Sequence, residues 1–290
     1  MHIMKQILIF LSCLPFTLLG QHFEAGILVG GTNYLGELSS NSSQIFLKET
    51  NLAAGAFAKY NINHLLGLRL GFNYAAISGN DQNSGNRAII ERNLNFRSDI
   101  YEVSFIGEFN ILGYQPYNYT ATFSPYLFGG IAFFSFNPQG DLDGTLFDLQ
   151  PLGTEGQTLA SLPDRTPYSL SEIAIPFGIG FKYTLTETLN LGLEIGARKL
   201  FTDYLDDVSL TYPGNAAFAA EGAPLQAIQL SNPGPNGTFG DAPAGSARGD
   251  NNANDWYFIV GFTISYNFLD NGLIGGRRRS RGGKTGCPTF

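Results

Sequence analysis

The stretch that decides the fold is 256–268, which reads Trp-Tyr-Phe-Ile-Val-Gly-Phe-Thr-Ile-Ser-Tyr-Asn-Phe. Its even-numbered positions are all large and apolar, and its odd-numbered positions from Gly261 onward are small or polar. Because side chains alternate between the two faces of a β-strand, one face of this run is apolar and the other becomes polar. The run is long enough to cross a bilayer as a tilted strand, which takes roughly 9–11 residues. It therefore predicts a membrane strand, and the chain must close a barrel because no sheet edge can face lipid.

The composition supports a membrane barrel and argues against other classes. Charged residues make up 14% of the 290 residues, against about 25% in soluble domains. After the N-terminal segment no run of about 18 apolar residues occurs, so a transmembrane helix is not expected. Hydrophobic residues instead fall in short alternating segments, which is typical of outer-membrane barrels.

Residues 1–20 are predicted to be an export signal. Lys5 precedes an apolar run over 7–19, and cleavage is expected after Gly20. A lipoprotein signal ending at Cys13 is the alternative, but it leaves only a short apolar core before the cysteine. Cleavage after Gly20 leaves 16 basic and 24 acidic residues, a net charge of −8 that does not favour nucleic-acid binding.

The C-terminal segment 269–290 is predicted to carry the most distinctive chemistry. Cys287 is the only thiol left after cleavage, and a single cysteine in an oxidising compartment suggests an intermolecular disulfide or a free thiol. A cluster of basic residues precedes it: Arg277, Arg278, Arg279, Arg281 and Lys284. Such a cluster suits nucleic acid, a lipid headgroup or an acidic protein partner.

Seven further segments alternate in the same way, at 23–34, 53–60, 66–74, 100–112, 125–136, 173–184 and 189–197. The facing of 125–136 is ambiguous because it contains Gly129-Gly130 and consecutive phenylalanines. Pro176 lacks a backbone donor and predicts a bulge or weakened pairing, while the glycine pairs at 30–31 and 129–130 predict close approach of strands. The predicted fold is all-β, with a single antiparallel transmembrane barrel of about eight strands over residues 21–268.

Connection lengths predict the orientation of this barrel. Long connections at 35–52, 78–98, 137–172 and 203–254 alternate with short ones at 61–65, 113–124 and 185–188. Outer-membrane barrels place short turns in the periplasm and long loops outside. The prediction is a barrel in the outer membrane, surrounded by lipid, with long extracellular loops, both mature termini in the periplasm and 269–290 as a periplasmic tail.

The polar faces of the predicted strands carry charges of both signs. The basic residues are Lys59, Arg69, Lys182 and Arg198, and the acidic ones are Glu102, Glu108 and Glu194. Eight strands enclose a space that side chains nearly fill, so we expect these charges to pair and plug the lumen. This predicts a closed anchor. The alternative is a small porin, or a barrel whose outer loops bind a solute or a surface partner.

The sequence does not predict catalysis, a cofactor or a small-molecule substrate. His22 and His64 are the only histidines after residue 20, and they lie at the N-terminus and in a short turn, away from the outer acidic loops. With one cysteine they do not make a zinc site. Asp203, Asp206 and Asp207 are close enough in sequence to suggest calcium, but acids that cap local backbone groups are the preferred interpretation. No metal is therefore expected.

Five segments carry a resemblance to a known family. They are Gly-Gly-Thr-Asn-Tyr-Leu-Gly-Glu at 30–37, Arg-Asn-Leu-Asn-Phe at 92–96, Gln-Pro-Leu-Gly-Thr-Glu-Gly at 150–156, Phe-Thr-Asp-Tyr-Leu-Asp-Asp-Val-Ser at 201–209, and Cys-Pro-Thr-Phe at 287–290. In their order and spacing the chain resembles the PorG-like family, the outer-membrane barrel component of the Bacteroidetes type IX secretion and gliding machinery. Thr289 departs from the family pattern, in which a basic residue is expected.

The resemblance implies a non-catalytic role. It implies an anchor that ties a periplasmic ring, made of the lipoprotein PorK (GldK) and of PorN (GldN), to the outer membrane. The terminal Cys-Pro pair of the family falls on Cys287 and Pro288 of this chain. The resemblance thus implies a disulfide between Cys287 and the ring lipoprotein.

Overall fold

The computed structural model describes residues 23–39, 47–114, 122–186, 188–234, 240 and 242–268. The predicted export signal and tail lie outside these residues. The described part contains ten strands: β1 (Phe23–Leu35), β2 (Asn51–Asn61), β3 (Leu66–Asn80), β4 (Asn95–Asn110), β5 (Phe123–Ser135), β6 (Pro138–Leu142), β7 (Thr145–Asp148), β8 (Ser171–Thr184), β9 (Leu189–Leu200) and β10 (Trp256–Asn267).

Eight of these strands form a closed barrel, which confirms the predicted fold. The wall runs β1-β2-β3-β4-β5-β8-β9-β10, all neighbours are antiparallel, and pairing of β3 with β4 and of β1 with β10 closes it. The end at which short connections join β2 to β3 and β8 to β9 is called the short-turn end, and the opposite end the long-loop end. Among the described helices, none has the length and apolarity that a membrane span requires.

The two faces of the wall differ as the alternating pattern predicts. On β10, Phe262 and Ile264 are exposed on the outside, whereas Thr263 and Ser265 are buried inside. β5, whose facing was ambiguous, points Tyr126 and Phe128 inward. Exposed apolar side chains from every wall strand form an outer band that includes Ile27, Leu52, Leu70, Phe72, Val103, Phe105, Ile131, Phe133, Ile173, Ile179, Ile195 and Phe262. A closed wall with an apolar outer band is the structure of an outer-membrane β-barrel.

Several predicted boundaries were wrong, mostly at the long-loop end. The predicted loop 78–98 is shorter because β3 and β4 stay paired as far as Asn80 and Asn95.

Pro176 keeps its register with Arg198 on β9, while the ladder between β5 and β8 is interrupted beside it, between the pairs Gly129–Phe177 and Ala132–Ala174.

The long connections, which the sequence predicted to be loops, contain regular structure. The β6–β7 hairpin extends the wall from β4. Short helices follow in the other connections: α1 (Arg87–Arg92), α2 (Leu149–Leu152), α3 (Asn215–Ala220) and α4 (Leu225–Ser231). An apolar core at this end joins the barrel interior to the connections, and its members include Leu38, Ile77, Leu94, Phe96, Ile100, Phe134, Leu149, Leu200, Leu205 and Leu230. The long connections therefore fold into a roof over the barrel.

Gly129 and Gly130 illustrate how tightly the wall strands approach. A Cβ added at Gly130 would lie 2.1 Å from the carbonyl oxygen of Phe105 and 2.8 Å from Cα of Ile106. A Cβ added at Gly129 would lie 3.9 Å from its nearest neighbours, which is ordinary contact. Only the second glycine of this pair is required by close approach of the β4 backbone.

We predict that Gly130→Ala lowers the free energy of unfolding by about 1–3 kcal/mol, because the added methyl group overpacks the β4–β5 seam. Gly129→Ala is the matched control and should leave it unchanged within about 0.5 kcal/mol. Fluorescence of Trp256, the only tryptophan, during guanidinium unfolding measures both. Equal effects of the two substitutions would contradict the predicted seam.

Candidate functional site

The barrel interior holds a continuous network of ion pairs toward the short-turn end. Nζ of Lys59 lies 2.7 Å from Glu24 and 3.1 Å from Glu108. Nη1 of Arg69 lies 3.3 Å from Glu108 and 2.5 Å from Glu194, whose other oxygen accepts a 3.0 Å hydrogen bond from Nη2 of Arg69. All of these side chains are buried. Because β3 and β9 stand four places apart in an eight-strand ring, the Arg69–Glu194 pair crosses the barrel from one side to the other.

Lys182 completes this network with weaker pairs and aromatic contacts. Its Nζ is 3.6 Å from Glu108 and 3.8 Å from Glu24, and it lies 4.3 Å from the ring centroid of Tyr114. The buried Tyr114 sits at the short-turn end, where its N–H donates to the carbonyl of His64 at 2.6 Å and its hydroxyl group lies 3.1 Å from Asn267 Oδ1. Tyr114 therefore lies between the cations and the short-turn mouth.

A second ion pair lies nearer the long-loop end. Nε of Arg198 donates to Glu102 at 3.1 Å, and the Tyr257 hydroxyl donates to the same carboxylate oxygen at 2.7 Å. Asn73 donates to the other oxygen at 2.6 Å. Beyond this pair the interior becomes apolar, with Ile77, Ile100, Phe134 and Leu200 all fully buried. The charged interior is thus separated from the roof by an apolar layer.

All seven predicted lumen residues lie inside the barrel, and the structure adds Glu24 to them. With Glu24, the described residues place four carboxylates and four cations in the barrel interior, whereas the predicted set had three carboxylates and four cations. Glu24 was missed although the pattern contained the signal: it falls between Phe23 and Ala25, which mark the apolar face of the first strand. The predicted tail residues Arg277, Arg278, Arg279, Arg281, Lys284, Cys287 and Pro288 lie outside the described residues.

Four carboxylates gather at the rim of the barrel, at the long-loop end. Glu37 follows β1, Asp203 and Asp206 follow β9, and Asp255 directly precedes β10. β10 pairs with both β1 and β9, so these strand ends meet at one place. Each of Glu37, Asp203 and Asp255 has a carboxylate oxygen within 4.8 Å of the other two. We call Glu37, Asp203, Asp206 and Asp255 the rim carboxylates.

Tyr34 joins two of the rim carboxylates. Its hydroxyl group lies 2.6 Å from Asp206 Oδ2 and 3.0 Å from Asp255 Oδ1. A tyrosine hydroxyl has one proton and can donate to only one of them. Gly36 makes the arrangement possible, because a Cβ there would lie 1.9 Å from both the Tyr34 hydroxyl oxygen and Asp255 Oδ1.

Burial and mutual repulsion favour the neutral form of the rim carboxylates. Burial, followed by the negative charge of Asp203, raises the pKa of Glu37 to about 7. Burial also raises the pKa of Asp203 to about 7, although the Ser209 hydroxyl lowers it in part. The pKa values of Asp206 and Asp255 are raised well above the ordinary range by burial first and by neighbouring carboxylates next.

The two arginines near the rim are engaged by other acids. Arg92 binds both oxygens of Asp81 at 2.8 Å. Arg248 lies 3.1 Å from Glu155 and 3.6 Å from Asp207. Within the described part of the chain, no salt bridge reaches a rim carboxylate.

The structure divides the aspartates that were considered together from the sequence. Asp207 has a left-handed backbone, with φ of 68°, and its side chain contacts Thr154, Tyr168 and Arg248. Asp206 Oδ1 accepts a 2.9 Å hydrogen bond from the N–H of Val208, which is the local capping that the sequence suggested. Glu37 and Asp255, which were not considered, take the place of Asp207 beside Asp203.

Four of the segments that carry the family resemblance meet in this roof. Tyr34 of the first segment contacts Asp206 of the fourth. Arg92 of the second donates to the carbonyl of Glu37 at 3.2 Å, and Glu155 of the third accepts from the N–H of Ser209 at 3.0 Å. These segments therefore build one structure although the sequence separates them widely.

A family model matches residues 2–147, which is half of the chain. The chain belongs to the DUF6089 family, described as a domain of unknown function. The match does not bear on type IX secretion, so the resemblance to PorG-like proteins stays a prediction. No curated protein matches the sequence.

Solved structures of bacterial surface proteins are similar to the DUF6089 chain. Neisserial surface protein A is 9% identical, with a TM-score of 0.42, and the match covers 85% of this chain and 97% of that one. Ail of Yersinia pestis is 9% identical, with a TM-score of 0.38 and coverage of 85% and 98%. OprG of Pseudomonas aeruginosa is 10% identical, with a TM-score of 0.35 and coverage of 85% and 97%. Likenesses of this size do not bear on what the chain does.

We predict that Arg198→Met lowers the free energy of unfolding by about 3–5 kcal/mol, because Glu102 is left as a buried, unpaired carboxylate. Adding Glu102→Gln should recover most of this loss, since the stranded charge is then removed. Guanidinium unfolding of the single and double variants measures the coupling. Glu91→Gln, which breaks an exposed pair with Arg87, is a control expected to change little. Additive losses in the double variant would contradict the predicted pairing.

Proposed function

We propose that this protein is a non-catalytic anchor in the outer membrane and that its barrel does not conduct. The observation that carries the proposal is the balanced interior, in which four carboxylates and four cations neutralise one another. Tyr114 covers this network at the short-turn end, and buried apolar residues such as Ile100 and Phe134 cover it at the long-loop end. Ions crossing the barrel would have to separate buried ion pairs, which is costly in a low-dielectric interior.

The proposed orientation is supported by the lengths of the connections. Short turns of outer-membrane barrels face the periplasm and long loops face outward. β1 begins and β10 ends at the short-turn end, where Phe268 donates its N–H to the carbonyl of Phe23 at 2.9 Å. In this orientation the roof faces outward and the chain after residue 268 continues from the periplasmic side.

We further propose that the anchor belongs to a type IX secretion and gliding machinery. Two points support this. The PorG-like resemblance spans the chain, and Cys287 is the only cysteine after the predicted cleavage site. In this proposal Cys287, next to Pro288, forms a disulfide with a ring lipoprotein of the PorK or GldK type. Arg277, Arg278, Arg279, Arg281 and Lys284 supply positive charge for an acidic surface of that ring, which also contains PorN or GldN.

A non-reducing gel of native outer membranes tests the disulfide. We expect an adduct of higher mass that disappears with dithiothreitol and is absent from Cys287→Ser, and mass spectrometry of the adduct should identify a ring lipoprotein. Ser280→Ala, in the same segment as Cys287, is the matched control and should keep the adduct. Monomer alone in wild-type membranes would contradict the disulfide.

A further inference from the structure

The rim carboxylates include a side chain that is buried but not satisfied. Asp203 is 7% exposed, and neither of its oxygens makes a hydrogen bond of ordinary geometry. The nearby Ser209 hydroxyl lowers its pKa only in part. Glu37 Oε2 is also buried and has no hydrogen-bond partner, whereas Glu37 Oε1 accepts from the N–H of Asp250 at 3.2 Å. Buried carboxylate oxygens without partners are unusual in folded proteins.

Asp203, whose oxygens have no hydrogen-bond partner, lies close to two other carboxylates. Asp203 and Glu37 each direct an oxygen to within 4.8 Å of the other and of an oxygen of Asp255. Two oxygens that share a calcium ion at 2.3–2.6 Å lie at most about 5 Å apart. The separations at the rim therefore allow the three oxygens to share one cation.

The arginines of the roof pair with other acids, so the rim carboxylates have no positively charged side chain as a partner among the described residues. Arg92 is engaged by Asp81 and Arg248 by Glu155 and Asp207. The neighbouring acids of the roof thus have arginine partners, while the described residues offer none to the rim carboxylates. Carboxylates brought this close need either protons or a bound cation to offset their repulsion.

We propose that Glu37, Asp203 and Asp255 form a binding site for a calcium ion at the outer rim of the barrel. Oxygen ligands are those that calcium prefers, and its flexible coordination of 6–8 ligands is completed here by second carboxylate oxygens and water. Magnesium requires a more regular octahedron and keeps most of its own water, so it should bind more weakly. The site is independent of the proposed anchor function.

Asp206 and Tyr34 are positioning residues for this site. Asp206 accepts from the backbone N–H of Val208 and from the Tyr34 hydroxyl, at 2.9 and 2.6 Å. When Tyr34 donates to Asp206, its hydroxyl oxygen turns a lone pair toward Asp255 Oδ1, and a cation bound by Asp255 relieves that contact. Gly36 leaves the space in which this hydroxyl lies.

The ion would connect three strand ends that are otherwise joined only by the backbone hydrogen bonds between neighbouring strands. Glu37 belongs to the end of β1, Asp203 to the start of the long connection after β9, and Asp255 to the start of β10. Calcium at this point would hold the connection 201–255 against the barrel. Arg248 lies in that connection and is 3% exposed, so cleavage by trypsin after Arg248 reports release of the roof.

The test is calcium titration of the purified full chain in detergent after treatment with a chelator. We expect one calcium ion per chain by calorimetry, weaker binding of magnesium, and slower tryptic cleavage after Arg248 when calcium is present. Asp203→Asn should weaken calcium binding at least about tenfold and abolish the protection. Glu91→Gln, which removes one carboxylate from exposed α1, is the matched control and should behave as the wild type.

The shift in gel mobility between unheated and boiled samples shows whether each variant is a folded barrel. If Asp203→Asn does not fold, Glu37→Gln provides the same comparison, because Glu37 is only partly buried and its Oε2 is unpartnered. Absence of calcium binding by the folded wild type would overturn the proposal and leave protons as the only compensation. Equal calcium affinity in the wild type and in folded Asp203→Asn or Glu37→Gln would also overturn it.

Discussion

Each charge inside the barrel depends on another charge inside the barrel. The outer face of the wall is apolar, and β2, β3, β4 and β9 supply Lys59, Arg69, Glu108 and Glu194 as one continuous series of pairs. This series crosses the ring of strands, so it fixes which strands can stand opposite one another. Buried ion pairs add little stability over apolar packing of the same volume, but they penalise every arrangement that leaves one partner unpaired. The network therefore acts mainly on specificity and on closure of the lumen.

Buried acids in the roof also need partners of opposite charge, but only some of them have one among the described residues. Arg92 forms a salt bridge with Asp81 and donates to the carbonyls of Glu37 and Arg248, which come from distant parts of the chain. Arg248 pairs with Glu155 and Asp207, and these contacts together hold the connections on the barrel. At the rim, Glu37, Asp203, Asp206 and Asp255 gather where three strands end, and among the described residues none of their carboxylates forms a salt bridge with an arginine. The acids of the roof that pair with arginine are structural. The rim carboxylates, which have no such partner among the described residues, are suited to an external cation.

The sequence predicted the wall well because a barrel strand has one simple rule, the alternation of apolar and polar side chains. That rule placed Lys59, Arg69, Glu102, Glu108, Lys182, Glu194 and Arg198 inside, and it also contained Glu24, which was overlooked beside the apolar face of its strand. It said nothing about the roof, where short helices and turns carry no long period. The rim could not be predicted because Glu37 and Asp255 are far apart in sequence and meet only through the register that pairs Leu35 with Trp256. Asp207 is adjacent to Asp206 in sequence but does not join the rim, because its left-handed backbone turns the side chain toward Arg248.

The conductance of the barrel in planar lipid bilayers tests the central claim most directly. The wild type should insert into the bilayer but give no stepwise current. Recovery of the protein from the bilayer would show that it had inserted. The double variant Arg69→Ala/Glu194→Ala removes the pair that crosses the barrel and should give small, uniform steps. Steps in the wild type as large as those of this variant would contradict a closed interior and would favour a small porin.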